Sequence, residues 1–176
     1  LDAKIKPASY VRIEREWKDG DKISIVFSMP IRIDTWKTNA DSISVSRGPL
    51  TYSLRIGEKW QKFGDNAQWP EWEVLPTTPW NYGLVVDAVN PAGSFKFVKR
   101  AETLADQPFT PEAAPVQLVA KGKRIPAWTE DGLGLIGLLE ASPIKSDQPE
   151  EEITLIPMGC ARLRISAFPV VSDAPE

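Results

Sequence analysis

The chain has 176 residues, 42% of them hydrophobic, with a formal net charge of -3 and no histidine. That length fits one domain with a sizeable core, and nothing in the charge marks a nucleic-acid surface. Without His the commonest general base and metal ligand is missing, a lone Cys160 excludes an internal disulfide and a multi-cysteine zinc site, and no apolar run can span a bilayer.

The chain opens Leu1-Asp2-Ala3-Lys4, without an initiator Met or a signal peptide, and reads as a piece of a longer protein. The first predicted element is a hairpin. Over residues 11–17, Val11, Ile13 and Trp17 share one phase, and Arg12, Glu14 and Glu16 the other. Lys18-Asp19-Gly20-Asp21 supplies the turn. Over residues 22–29, Ile23, Ile25, Phe27 and Met29 share a face opposite Ser24 and Ser28. Side chains alternate across a strand, so each segment has one face to bury; an Asp-Gly turn joins them.

Ile31 and Ile33 continue the alternation past Pro30. Residues 42–47 set Ile43 and Val45 among serines, and residues 50–56 set Leu50, Tyr52, Leu54 and Ile56 on one face. Residues 57–72 read as irregular, and so long a loop is functional or docked on something. Residues 73–75, 80–86, 95–98 and 116–120 are further predicted strands. Residues 99–115 read as a loop with room for one helical turn at 100–105. Residues 153–156 and 161–168 form a final predicted pair across Pro157-Met158-Gly159.

The 16 prolines forbid long helices. About ten strands with frequent turns and little or no helix give an all-β, antiparallel sandwich or jelly roll. We expect a single domain over residues 1–171 and a frayed polar tail at 172–176. The expected core holds Ile13, Trp17, Ile25, Phe27, Val45, Tyr52, Leu54, Leu84, Leu155, Leu163 and Ile165.

Motifs for chemistry are weak. Gly132-Leu133-Gly134-Leu135-Ile136-Gly137 lacks the helix that a phosphate loop requires, with Pro143 close behind, and reads as a turn. Cys160 has only Arg162 and Arg164 nearby in sequence and reads as a buried thiol. Among the carboxylates, Glu71, Glu73, Asp87 and Glu140 are candidates that no spacing pairs; Glu150-Glu151-Glu152 reads as a solvated turn before a strand. Tryptophan carries more. Four of seven, Trp60, Trp69, Trp72 and Trp80, fall between positions 60 and 80. Such rings either pack in a core or interface or offer platforms for sugar faces; packing is the commoner use. Trp60, Trp69, Trp72, Trp80, Asn81 and Tyr82 are thus the candidate ligand or domain interface, with Trp80 nearest the ligand or partner.

Several motifs carry a family resemblance. Tyr10-Val11-Arg12-Ile13-Glu14-Arg15-Glu16-Trp17-Lys18-Asp19-Gly20-Asp21 resembles a segment that follows the catalytic barrel in glycoside hydrolase family 127, the β-L-arabinofuranosidase-like enzymes. Ser46-Arg47-Gly48-Pro49-Leu50-Thr51-Tyr52 is similar to that family's Arg-Gly-Pro strand start. Thr78-Pro79-Trp80-Asn81-Tyr82-Gly83-Leu84 and Leu155-Ile156-Pro157-Met158-Gly159-Cys160, then Leu163-Arg164-Ile165-Ser166-Ala167-Phe168-Pro169, resemble motifs of its Bacteroidetes-type members. Met158 departs from the pattern, standing at a position where an aromatic is expected.

The resemblance implies a C-terminal β-sandwich accessory domain, non-catalytic in itself, that stabilises an (α/α)6 catalytic barrel of the same chain. The family's catalytic and zinc-binding residues belong to that barrel, so no catalytic residue, metal ligand or cofactor site is expected here. It also implies a periplasmic or secreted parent acting on plant-derived carbohydrate. The competing expectation is a carbohydrate-binding module using exposed tryptophans. Neither nucleic acid nor a membrane is an expected partner.

Overall fold

The computed structural model describes residues 6–101 and 103–172. Among these the fold is all-β: ten strands and two short 3-10 turns, Pro91–Ser94 and Met158–Cys160. The strands are β1 (Ile31–Trp36), β2 (Ser42–Arg47), β3 (Leu50–Leu54), β4 (Glu58–Phe63), β5 (Glu71–Pro76), β6 (Tyr82–Val85), β7 (Lys96–Lys99), β8 (Val116–Arg124), β9 (Glu151–Pro157) and β10 (Val170–Val171). The main sheet runs β1-β2-β3-β9-β8-β6-β10, with β7 also paired to β8. Every pairing in it is antiparallel except β10 on β6. The sheet curls over a single main core, as a sandwich-like fold requires.

Strand β9 sits at the middle. Leu155 lies opposite Leu54 on β3 and Leu118 on β8, and all three are buried. Tyr52, Leu84, Ile125 and Phe168 complete the centre. Alternation drives this: Ile31 and Ile33 on β1, Ile43 and Val45 on β2, and Tyr52 and Leu54 on β3 all pack on the core. The opposite phase of the first two strands is polar. Register places Arg32, Asp34 and Trp36 on one face with Ser46, Ser44 and Ser42 of β2, and Thr51 of β3 faces Ser46.

Residues 11–29 depart from expectation. The turn is present: Asp21 N donates to Lys18 O at 3.1 Å and Lys18 N to Asp21 Oδ2 at 2.8 Å. No strand flanks it. Ile13 is half-buried, Trp17 is exposed, and Ile25 and Phe27 are 69% and 73% exposed. Alternation gives a segment a face to bury, but a ladder also needs a neighbouring strand, and no described residue supplies one.

Residues 57–72, read as irregular, carry β4 and the start of β5, which form a separate two-stranded hairpin. Residues 161–168, read as a strand, are irregular. Their backbone is inserted between β2 and β3 by one bond to β3, Leu54 N to Ile165 O at 2.8 Å, and a reciprocal pair to β2, Ile43 N to Phe168 O at 2.8 Å and Phe168 N to Ile43 O at 2.9 Å. Leu163 is only half-buried. The last strand is instead β10. The described part of residues 100–105 is not helical, and residues 173–176 of the expected tail lie outside the described residues. No helix among the described residues is long and apolar enough to cross a membrane.

Candidate functional site

The six aromatic-region residues fall into two sets. On the β4–β5 hairpin, Trp60 faces Val74 across the ladder and Lys62 faces Trp72, so the two indoles share a face. Their centroids are 6.3 Å apart and their planes cross at 69°. Arg162 lies over the Trp60 ring at 5.1 Å and holds Glu58 at 3.0 Å, which ties the hairpin to the body of the protein. Phe63 and Leu75 project from the other face, and all four are exposed. Trp69, 73% exposed, lies in the connecting turn, where Asn66 Oδ1 accepts from Trp69 N at 3.0 Å.

Trp80, Asn81 and Tyr82 belong to the core instead. Trp80 is half-buried, edge-on to the buried Trp128 at 5.2 Å. Asn81 Nδ2 donates to Ile125 O at 2.9 Å and Trp128 O at 3.2 Å, which locks the loop after β8 onto β6. Tyr82 is buried, and its hydroxyl donates to Glu151 Oε2 at 2.7 Å. The hydrogen-bonding groups beside Trp80 are therefore engaged within the fold.

Glu151 also accepts from Arg124 Nε at 2.7 Å. The Glu150–Glu152 run is thus no free turn: β9 begins at Glu151, and Glu150 pairs with Lys121 at 2.8 Å. The Tyr82 hydrogen bond, then Arg124, hold the Glu151 carboxyl below the ordinary glutamate value of 4.5. Burial, then Glu151, push the Tyr82 phenol up to about 12. A lowered carboxylate stabilises the fold above its unfolded pKa and loses that contribution as pH falls through the lowered value. The raised phenol contributes below its ordinary pKa and is lost as pH climbs towards 12. We therefore expect the urea midpoint to fall between about pH 6 and about pH 3, with a shallower fall in Glu151→Gln. Equal acid slopes in the two proteins would show that the tie does not carry the effect.

The other chemical candidates resolve as structure. Cys160 is buried, its Sγ is 3.1 Å from Pro108 O, and burial pushes the thiol pKa up, away from a nucleophilic thiolate. Asp87 staples its loop, accepting from Asn90 N at 3.0 Å and Val89 N at 2.7 Å, and these two bonds, in that order, lower its pKa. The glycine-rich run is a turn in which Asp131 Oδ1 accepts from Leu133 N and Leu135 N, with Gly134 at a φ of 73°. Glu71 and Glu73 are exposed on β5, and Glu140 is half-buried in a loop. No group of three or more metal-ligating side chains occurs among the described residues.

Sequence reading passed over one concave surface. The polar face of β1 and β2 opens into a cleft of about 690 Å³, lined by Arg32, Asp34, Trp36, Asn39, Thr51 and Ser166 among others. No family model, curated protein or solved structure matches this chain.

Proposed function

We propose that this chain is a non-catalytic accessory domain of a family 127-like glycoside hydrolase, packing on an (α/α)6 catalytic barrel of the same polypeptide. The observation that carries the reading is the amount of large apolar side chain left uncovered on two segments. Val11, Trp17, Ile25, Val26 and Phe27 stand out along the unpaired stretch before β1. Trp60, Phe63, Trp69, Trp72 and Leu75 stand out on and between β4 and β5. Clustered exposure of this kind marks an interaction surface, and a strand-patterned segment with no partner gains its ladder from a neighbour. The barrel as occupant comes from the motif resemblance, as does a periplasmic or secreted parent.

A sugar platform on the same hairpin has less support. Trp60 and Trp72 cross at 69° instead of lying in one plane, and Arg162 covers the Trp60 ring. Such rings suit an irregular protein surface better than a flat pyranose face.

Acrylamide quenching tests the docking. Trp60, Trp69 and Trp72, each followed through its Trp→Phe loss, are expected to be quenched freely in the 176-residue chain and protected in the barrel-containing polypeptide. Equal quenching in both proteins would remove the docking argument. The isolated chain is also expected to leave aryl arabinofuranosides intact; turnover abolished by a point substitution within it would overturn the non-catalytic assignment.

A further inference from the structure

The cleft over β1 and β2 differs from the docking segments in chemistry and place. Its wall is a single large ring: Trp36 is 51% exposed, and its Nε1 donates to Ser44 Oγ at 2.9 Å. That bond fixes the indole from the sheet side and leaves ring area facing out. Arg32 Nε bonds both oxygens of Asp34, at 3.1 and 3.0 Å. Asn39 Nδ2 donates to Ser42 Oγ at 3.1 Å, which spends one amide hydrogen and leaves the amide oxygen. Thr51 and Ser166 add hydroxyls, the latter positioned by Ser53 Oγ at 2.6 Å. Ser46, 5% exposed and flanked across the ladder by Arg32 and Thr51, has a hydroxyl with no partner among the described residues.

We propose that this cleft binds a neutral saccharide, stacked by its apolar ring face on Trp36. Three features select that class. The sole cation and sole anion lining the cleft pair with one another, so the site offers no net charge for a phosphate, a nucleotide or a metal ion. Planar guanidinium, carboxylate and amide groups beside an exposed indole match a ligand with hydroxyls around its rim and C–H groups on its face. The cleft is open, so a ligand would lie across it and not be enclosed. The aliphatic face of β1 points the other way, into the core, so the strand offers this surface without giving up packing. The proposal is independent of the docking reading: it uses neither the hairpin nor the stretch before β1.

Affinity electrophoresis of the 176-residue chain through gels holding arabinan, xylan, galactan or mixed-linkage glucan tests it, with polygalacturonate as the charged control. Retardation by at least one neutral polymer is expected, and none by polygalacturonate. Trp36→Ala should weaken that binding about tenfold or more, and Trp72→Ala should leave it unchanged. Arg32→Ala, on an exposed strand face, should also weaken it and decides the matter if circular dichroism shows Trp36→Ala to be misfolded. Absence of retardation by every neutral polymer, retardation by polygalacturonate alone, or binding indifferent to Trp36→Ala and Arg32→Ala would each overturn the proposal.

Discussion

Replacing Phe168 by alanine is expected to remove about 3–5 kcal/mol of stability. The ring is 0% exposed and sits in the main core. It also stands where residues 161–169 are bonded in both directions to Ile43, so the cavity would open beside the joint that holds this segment between β2 and β3. A domain of this size is stable by roughly 5–15 kcal/mol, so the loss is a large fraction of the whole. Urea denaturation measures it. Ile25→Ala, on the exposed stretch, should change stability by no more than about 0.5 kcal/mol. If the two substitutions had equal effects, the core would be misplaced.

Gly83→Ala is expected to cost on the order of 1–3 kcal/mol, by overpacking. A Cβ there would lie 2.6 Å from Val171 Cγ2, 3.0 Å from Ile125 Cδ1 and 3.2 Å from Pro169 O. The last contact is backbone, and Pro169 O accepts from Leu84 N at 2.8 Å, so relief would have to move β10 away from β6. Gly132→Ala is the control, because a Cβ there meets nothing within 4 Å. Its thermal midpoint should match the parent, whereas Gly83→Ala should melt several degrees lower; coincident melts of all three would show that β6 and β10 are not closely packed.

How far the sequence discloses this fold depends on whether a signal is local. The alternation of Ile43 and Val45 with serines marks β2 at its observed bounds, Ser42–Arg47. Tyr52, Leu54, Leu84 and Leu155 fall on buried phases as alternation requires. The same rule misleads at Ile25 and Phe27, because it reports a face to be covered and not the strand that would cover it. It is silent at β4, where Glu58, Lys59, Gln61 and Lys62 surround one tryptophan: a strand polar on both faces has little period to detect. It misassigns residues 161–168, where Leu163 and Ile165 alternate but the backbone bonds to two different strands in turn.

The candidate sites divide in the same way. Trp80, Asn81 and Tyr82 look like a ligand cluster in sequence because Asn81 and Tyr82 set hydrogen-bonding groups beside a tryptophan. Their partners, Ile125, Trp128 and Glu151, arrive from distant strands and loops and fold them inward. The Trp36 cleft is hidden for the opposite reason. Arg32, Asp34 and Trp36 carry the period-two signal, but Thr51 and Ser166 join them only through the sheet register and the inserted segment. A rule that pairs a polar strand phase containing one tryptophan with a serine-alternating neighbour would have found it.

The stretch before β1 also bears on how the isolated chain behaves in concentrated solution. Ile23-Ser24-Ile25-Val26-Phe27-Ser28-Met29 holds neither a charge nor a proline, and it lies outside every ladder of the described residues. Short uncharged β-formers of this kind pair with copies of themselves when nothing else occupies their backbone. Self-association of the 176-residue chain into cross-β aggregates is the expected outcome, favoured by high concentration and by any salt that screens Lys22 and its neighbours. A charged residue at Val26, which is exposed, would act as a gatekeeper against it. If a catalytic barrel covers this stretch as proposed, the same contact would also keep the protein in solution.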